Sequence, residues 1–251
     1  MATSSSQKNV QRPGAPLLFS EAARSAMEYG AATAAMPMLR RAPRGDGHTV
    51  LVFPGLMASD TSTRLLRGFL RDLGYRVHGW KLGRNIGPTE DVLDGIVARV
   101  RSLKEQSGGP ISLIGWSLGG IYAREMARRF PDAVRQVITL GSPFAMTDRD
   151  KSNARGVYNA FAASHSPRVA GLRVPEQQRP PIRVPTTSIY TKGDGIVPWQ
   201  SCVDVPSAQA ENIQVPGSHT GLGHNPRVLM IIADRLAQPL GQWRPYRERR
   251  R

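Results

Sequence analysis

The stretch Ile111-Ser112-Leu113-Ile114-Gly115-Trp116-Ser117-Leu118-Gly119-Gly120 constrains the fold more than any other part of the chain. Residues 111–114 are rich in apolar side chains and read as a buried strand. Residues 121–130 read as a helix. Between them a serine sits with a glycine two residues to either side. That spacing makes a sharp strand–turn–helix in which the serine backbone is strained. A side chain at Gly115 or Gly119 would collide with a neighbouring element. The helix then points its free N–H groups and positive dipole end at the serine, where negative charge would develop.

The rest of the chain repeats the same alternation. Residues 1–16 are rich in Ser, Gln, Pro and Gly and read as disordered. Residues 17–40 read as a helix, with Leu17, Leu18, Ala22, Met27 and Ala31 for its packed face, and a linker runs to residue 47. Thr49 to Phe53 is a strand ending in Pro54-Gly55-Leu56-Met57. A helix is expected from about Thr61, with Asp60 as its cap and Leu65, Leu66, Phe69, Leu70 and Leu73 buried. Tyr75 to Trp80 reads as strand and Thr89 to Gln106 as helix, with Val92, Ile96, Val100 and Leu103 at helical spacing. Val134 to Leu140 is a strand. Residues 144–184 are charged and proline-bearing without a clear period, and read as a lid-like insertion. Thr187 to Thr191 and Asn212 to Val215 are strands. Asn225-Pro226 starts a final helix burying Val228, Leu229, Ile232 and Leu236. Residues 241–251 form a basic tail.

Strands alternating with helices imply a mostly parallel sheet covered on both faces, here spanning residues 48–240. In such sheets the loops beyond the carboxyl ends of the strands gather at one edge. Ser117, Asp194, His219 and Gly55-Leu56 each follow a strand, so all four loops are expected there.

A serine hydroxyl needs a base to take its proton, and imidazole has a suitable pKa; the imidazole in turn needs an acid to fix its tautomer. His219 comes first after the last strand and is the expected base; His224, five residues on, is the alternative and otherwise braces the loop. His48 precedes a strand on the wrong edge, His78 lies within a strand, and His165 lies in the insertion. Asp194, in a Gly-Asp-Gly turn, is the expected acid, ahead of Asp204 and the Asp148/Asp150 pair. Two backbone N–H groups would receive an oxyanion: that of Leu118, and that of Leu56 or its neighbour Met57. Met57, Trp116, Phe144, Trp199 and Leu222 are candidate pocket walls by adjacency. No metal or cofactor is expected, because the two late histidines have no ligand cluster near them.

The net charge of +15 and pI near 11.0 raise nucleic acid or an anionic surface as partners. No nucleic-acid motif accompanies the charge, which clusters only at Arg247, Arg249, Arg250 and Arg251. Specific nucleic-acid binding is therefore not expected, while weak association with an anionic membrane surface stays open as a partner reading. A single cysteine, Cys202, and the lack of a secretory pattern at the start of the chain point to the cytoplasm.

Taken together, Val52-Phe53-Pro54-Gly55-Leu56, Gly115-Trp116-Ser117-Leu118-Gly119-Gly120, Gly141-Ser142-Pro143, Gly193-Asp194-Gly195-Ile196-Val197-Pro198 and Gly217-Ser218-His219-Thr220-Gly221-Leu222 resemble the α/β-hydrolase superfamily, in particular lipase- and esterase-like members. The resemblance spans about residues 48–237. It implies an α/β-hydrolase fold and a cofactor-independent serine hydrolase. Such an enzyme would cleave a small-molecule carboxylic ester or thioester with Ser117, Asp194 and His219, in that chain order. An acyltransferase would use the same residues, and a non-catalytic binding protein would keep the fold alone. Many relatives carry His-Gly where this chain has Pro54-Gly55, which bears on the geometry of the donor at Leu56.

Overall fold

The computed structural model describes residue 10 and residues 12–147, 150–168 and 174–247. Its centre is a six-stranded sheet built from β1 (Thr49–Phe53), β2 (Arg76–Gly79), β3 (Ile111–Trp116), β4 (Val134–Leu140), β5 (Thr186–Tyr190) and β6 (Ala210–Gln214). The spatial order is β2-β1-β3-β4-β5-β6, and every neighbouring pair is parallel. Parallel pairing puts all six carboxyl ends on one edge. The order reverses between β1 and β3, so a crevice opens between the loops after those two strands.

The strands at the centre are buried on both faces, which is why they read as continuous apolar runs. Alternate side chains feed two cores. Val50, Val52, Ile114, Ile138 and Ile189 pack under α1 (Ala15–Leu39), α2 (Arg64–Asp72) and α6 (Pro226–Leu236). Leu51, Phe53, Leu113 and Val137 pack under α3 (Glu90–Ser107) and α4 (Leu118–Arg129). Thr89 caps α3 through its side chain, and Asn225 caps α6 by accepting from the N–H groups of Arg227 and Val228. Each such cap is worth roughly 1 kcal/mol.

Several expectations are corrected. The N-terminal helix starts at Ala15 rather than residue 17 and ends at Leu39. Only part of the expected face packs: Leu17 and Leu18 are half-buried, whereas Ala22, Met27 and Ala31 point to solvent. Glu21 is buried, and Arg24, Ser25 and Glu28 are half-buried on the packed side. Apolar packing takes over only at Ala32, Ala35, Met36 and Leu39. Of the segment read as disordered, residues 1–9 and 11 lie outside the described residues. The N–H of Val10 donates to Asp150, and the Pro13 carbonyl accepts from Asn153.

Asp60 does not cap α2, which begins at Arg64 after a turn. Its carboxylate instead receives the N–H groups of Trp80 and Lys81 just past β2, at 3.0 and 3.1 Å. The strands expected at Tyr75 to Trp80 and Asn212 to Val215 are Arg76–Gly79 and Ala210–Gln214.

Among its described residues, the segment 144–184 contains one short helix, α5 (Arg155–Ala160), and single 3-10 turns. Glu176 ties it to the body through Arg124 and Arg128 of α4. The first part of the tail packs back on the domain, with Tyr246 under Arg235 and its N–H on Glu211; Arg249, Arg250 and Arg251 lie outside the described residues. No described helix is long and apolar enough to cross a membrane.

Candidate active site

Ser117 stands between β3 and α4 with φ 52° and ψ −123°. Positive φ in a residue with a side chain is strained and persists only where the surroundings enforce it. Here the backbone enforces it: the Ser117 N–H donates to the Leu140 carbonyl at 2.8 Å. The glycines have the expected role. A Cβ on Gly119 would lie 2.6 Å from the Phe53 carbonyl oxygen, and one on Gly115 would run into the backbone at Gly119 and Gly120. Leu118 is the first residue of α4, so its N–H has no acceptor within the helix.

Asp194 and His219 come from the loops after β5 and β6, and both are buried. Asp194 Oδ1 accepts the N–H groups of Ile196 and Val197, each at 2.8 Å. That orients Oδ2 toward His219 Nδ1, 2.6 Å away. His219 Nε2 lies 3.0 Å from Ser117 Oγ. The His219 carbonyl accepts from the Trp116 indole at 3.0 Å, which ties the loop to the residue before the serine. Burial by itself pushes the His219 imidazole down. The charge and hydrogen bond of Asp194, with a further contribution from Glu21, outweigh it and hold the pKa above 6.5.

The loop after β1 faces Ser117 across the crevice, and a Cβ on Gly55 would sit 3.2 Å from Ser117 Cβ. Hydrogen bonding distinguishes the two donors that this loop could offer. The Met57 N–H, on a backbone with φ 61°, is committed to the Asn85 carbonyl at 2.7 Å. That leaves the N–H of Leu56. Asn85, fully buried, holds the loop further: its Nδ2 donates to the Pro54 carbonyl at 3.0 Å and its N–H to the Ala58 carbonyl at 2.8 Å.

A cavity of about 410 Å³ opens at Ser117. Its walls are Tyr29 of α1, Gly55, Leu56, Ala58, Thr61, Ser62, Trp116, Thr220 and His224. Of the five walls expected from sequence, only Trp116 lines it. Phe144 is buried beneath the Arg124 guanidinium, Leu222 belongs to the core, and Trp199 stacks on Tyr190. Met57 stands exposed beside Leu56. No described residue of 144–184 lines this cavity; α1 and the turn before α2 close it instead.

The competing residues are engaged elsewhere. His224 meets Ser25 through Nε2, 3.0 Å from its carbonyl, and packs edge-on to Tyr29 and Trp116. Burial lowers its pKa. Asp204 pairs with Arg124, and Asp150 accepts from Val10 and Thr147. Asp148 lies outside the described residues. His48 is held by Asp46 and Ser112 at the far end of the strands.

A set of residues that sequence reasoning does not single out braces the two loops. Glu21 Oε1 accepts the N–H of Gly195 at 2.8 Å and that of His219 at 3.1 Å. Its Oε2 accepts the Thr220 N–H at 3.0 Å and hydroxyl at 2.8 Å. Arg24 Nη1 donates to the carbonyls of Gly193 at 2.7 Å and Gly217 at 3.1 Å. Glu28 accepts the Ser218 N–H at 2.7 Å.

Comparison with known proteins agrees with this frame. A family model described as the alpha/beta hydrolase fold matches residues 49–165. A search of curated proteins found no match. Among solved structures, the chain is similar to one described under "LipS and LipT, two metagenome-derived lipolytic enzymes", with 19% identity, a TM-score of 0.56, and 77% of this chain and 93% of that one covered. It is similar to Aspergillus fumigatus lipase B at 17% identity and TM-score 0.58, covering 76% of this chain and 52% of that one. A pyrethroid hydrolase, PytH, aligns at 16% identity and TM-score 0.55 over 77% of this chain and 99% of its own. The parallel sheet, the elbow at its switch point and the family match over residues 49–165 give this chain the α/β-hydrolase fold.

Proposed function

We propose that this protein is a cofactor-independent serine hydrolase acting on carboxylic esters or thioesters. Ser117 Oγ attacks the carbonyl carbon while His219 Nε2 takes its proton. Asp194 holds the Nδ1–H tautomer and stabilises the imidazolium that forms. The tetrahedral oxyanion receives the N–H groups of Leu118 and Leu56, each worth roughly 3–4 kcal/mol in such sites. The imidazolium then protonates the departing alcohol or thiol, leaving an acyl group on Ser117. Water, deprotonated by His219, releases the acid. The observation that carries this reading is the unbroken chain Ser117 Oγ to His219 Nε2 at 3.0 Å and His219 Nδ1 to Asp194 Oδ2 at 2.6 Å. The lipolytic enzymes and hydrolases among the structural neighbours support the same reaction class. The buried thiol of Cys202 and the absence of any second cysteine fit a reducing, cytoplasmic setting.

The test is hydrolysis of p-nitrophenyl esters of graded chain length, run beside the Ser117→Ala variant and with an added acceptor alcohol. Release of free acid that disappears with Ser117→Ala is expected. Exclusive transfer of the acyl group to the added alcohol would make the protein an acyltransferase. Turnover undiminished in the variant would remove Ser117 from the chemistry.

A further inference from the structure

The polar face of α1 is spent on the two loops that carry Asp194 and His219, which is unusual use for a helix surface. A helix normally buries an apolar stripe. Here the outward side carries Phe19 and Met27 at 83% and 66% exposure, while Glu21 is only 4% exposed. Burying a carboxylate costs several kcal/mol unless its oxygens are satisfied. Glu21 is satisfied by donors alone: three backbone N–H groups, one hydroxyl and the Arg24 guanidinium.

Those donors are divided between the loops. Oε1 takes one N–H from the acid loop, at Gly195, and one from the base loop, at His219 itself. Arg24 mirrors this with one nitrogen on two carbonyls, at Gly193 and Gly217. The acid and the base are thus bracketed on both flanks by a paired anion and cation, with Glu21 to Arg24 at 3.1 Å. Besides the Asp194–His219 contact itself, the two loops are tied directly by the Thr191 hydroxyl on the Gly217 carbonyl at 3.0 Å and by the Val215 N–H on the Tyr190 carbonyl at 2.9 Å.

We propose that Glu21 is a positioning residue whose ionised carboxylate, clasped with Arg24 across both loops, sets the approach of Asp194 to His219. The inference rests on the reading of Ser117, His219 and Asp194 as the reacting set. It requires the anion. A glutamine at this place keeps one acceptor oxygen, but its amide nitrogen would face donors that need acceptors. Burial alone pushes the Glu21 carboxyl up; the N–H groups of Thr220, Gly195 and His219 outweigh it, and the pKa is held below 4.5. The clasp is therefore complete above the ordinary glutamate range and is lost as pH falls through the lowered value.

Charge gives a second signature. The groups around His219 are Asp194 from the loop after β5, Glu21, Arg24 and Glu28 from α1, and His224 on its own loop; Cys202 stands near Asp194. Glu21 favours the imidazolium, so removing its charge lowers the pH at which His219 becomes neutral.

The experiment compares kcat, KM and the pH profile of a neutral p-nitrophenyl ester for the full-length wild type, Glu21→Gln, Glu21→Ala and Arg24→Met, with Ser117→Ala as control. Glu21→Gln is expected to lose kcat at least tenfold at neutral pH, keep KM within about twofold, and move the acidic limb of kcat/KM to lower pH. Glu21 lines a solvent-open cavity beside Phe19, Ser25 and Thr220, so formate should restore part of the kcat of Glu21→Ala but not of Ser117→Ala. Arg24→Met, which keeps Glu21, should lose kcat without moving KM even if the Glu21 variants do not fold. Folded Glu21 variants with wild-type kcat and an unmoved limb, or a full-rate Arg24→Met, would overturn the clasp while an inactive Ser117→Ala leaves the hydrolase reading standing. Activity retained by Ser117→Ala would overturn both.

Discussion

Around Ser117 the backbone does the positioning; around Asp194 and His219 side chains from a distant helix do it. The serine is fixed by the β3–α4 turn, by its N–H on the Leu140 carbonyl, and by glycines with no room for a Cβ. The acid and base sit on loops after β5 and β6, joined through Glu21, Arg24 and Glu28 of α1. A backbone-built feature fails all at once when its sterics are violated. A side-chain-built one can be loosened by degrees.

The largest expected effect separates two histidines five residues apart. His219→Ala should lower kcat by several orders of magnitude, since it removes the imidazole in reach of Ser117 Oγ. His224→Ala should leave most of kcat and lower the melting temperature modestly, because it releases the contact with Ser25. Parallel kinetics and thermal melts read both, and the reverse order would transfer the base to His224.

Gly119→Ala is the next. Its new Cβ would meet the Phe53 carbonyl and the backbone of the loop after β1. Overpacking of this kind costs about 1–3 kcal/mol or more, so a lowered denaturation midpoint is expected together with lost activity. An unchanged midpoint would show that the turn yields, and would weaken the contrast between the two regions.

How much of the molecule is legible in its sequence follows the same division. The central strands declare themselves by their apolar runs, and the elbow by glycine spacing, because both signals are local; the edge strands Arg76–Gly79 and Ala210–Gln214 carry no such run, and their bounds differ from those expected. Ser117, Asp194 and His219 can be named because each follows a strand. The brace cannot. Glu21 meets partners 174 and 198 residues away, and a glutamate in an alanine-rich helix reads as solvated. The usual rule turns the apolar Ala22, Met27 and Ala31 inward, and it fails where a helix buries hydrogen-bonding groups instead. Asp60 and Asn85 escape for a related reason: their acceptors and donors lie in loops that sequence spacing does not connect. The family match, ending at residue 165, also stops before both the acid and the base.

A finer probe is the pH profile. His219 must be neutral to act, and its pKa is held above 6.5, so kcat/KM on a neutral ester should rise along an acidic limb placed above that value. A limb well below it would mean that Asp194 and Glu21 do not favour the imidazolium. The smallest effect concerns the surface. With Phe19, Met27, Tyr29 and Met38 exposed on α1 and a net charge of +15, weak association with anionic lipid vesicles is expected. Vesicle sedimentation should show it fading as salt shortens the screening length from about 10 Å toward a few Å. Turnover of a neutral soluble ester should stay nearly flat over the same range, and a steep loss would bring the basic surface into substrate handling.

The most direct measurement of the central claim is covalent labelling by a fluorophosphonate, read by intact mass and peptide mapping. One adduct on Ser117 is expected, formed rapidly in the wild type, slowly in His219→Ala, and not at all in folded Ser117→Ala. An adduct elsewhere, or labelling of Ser117→Ala at the wild-type rate, would contradict the assignment of Ser117 as an activated nucleophile.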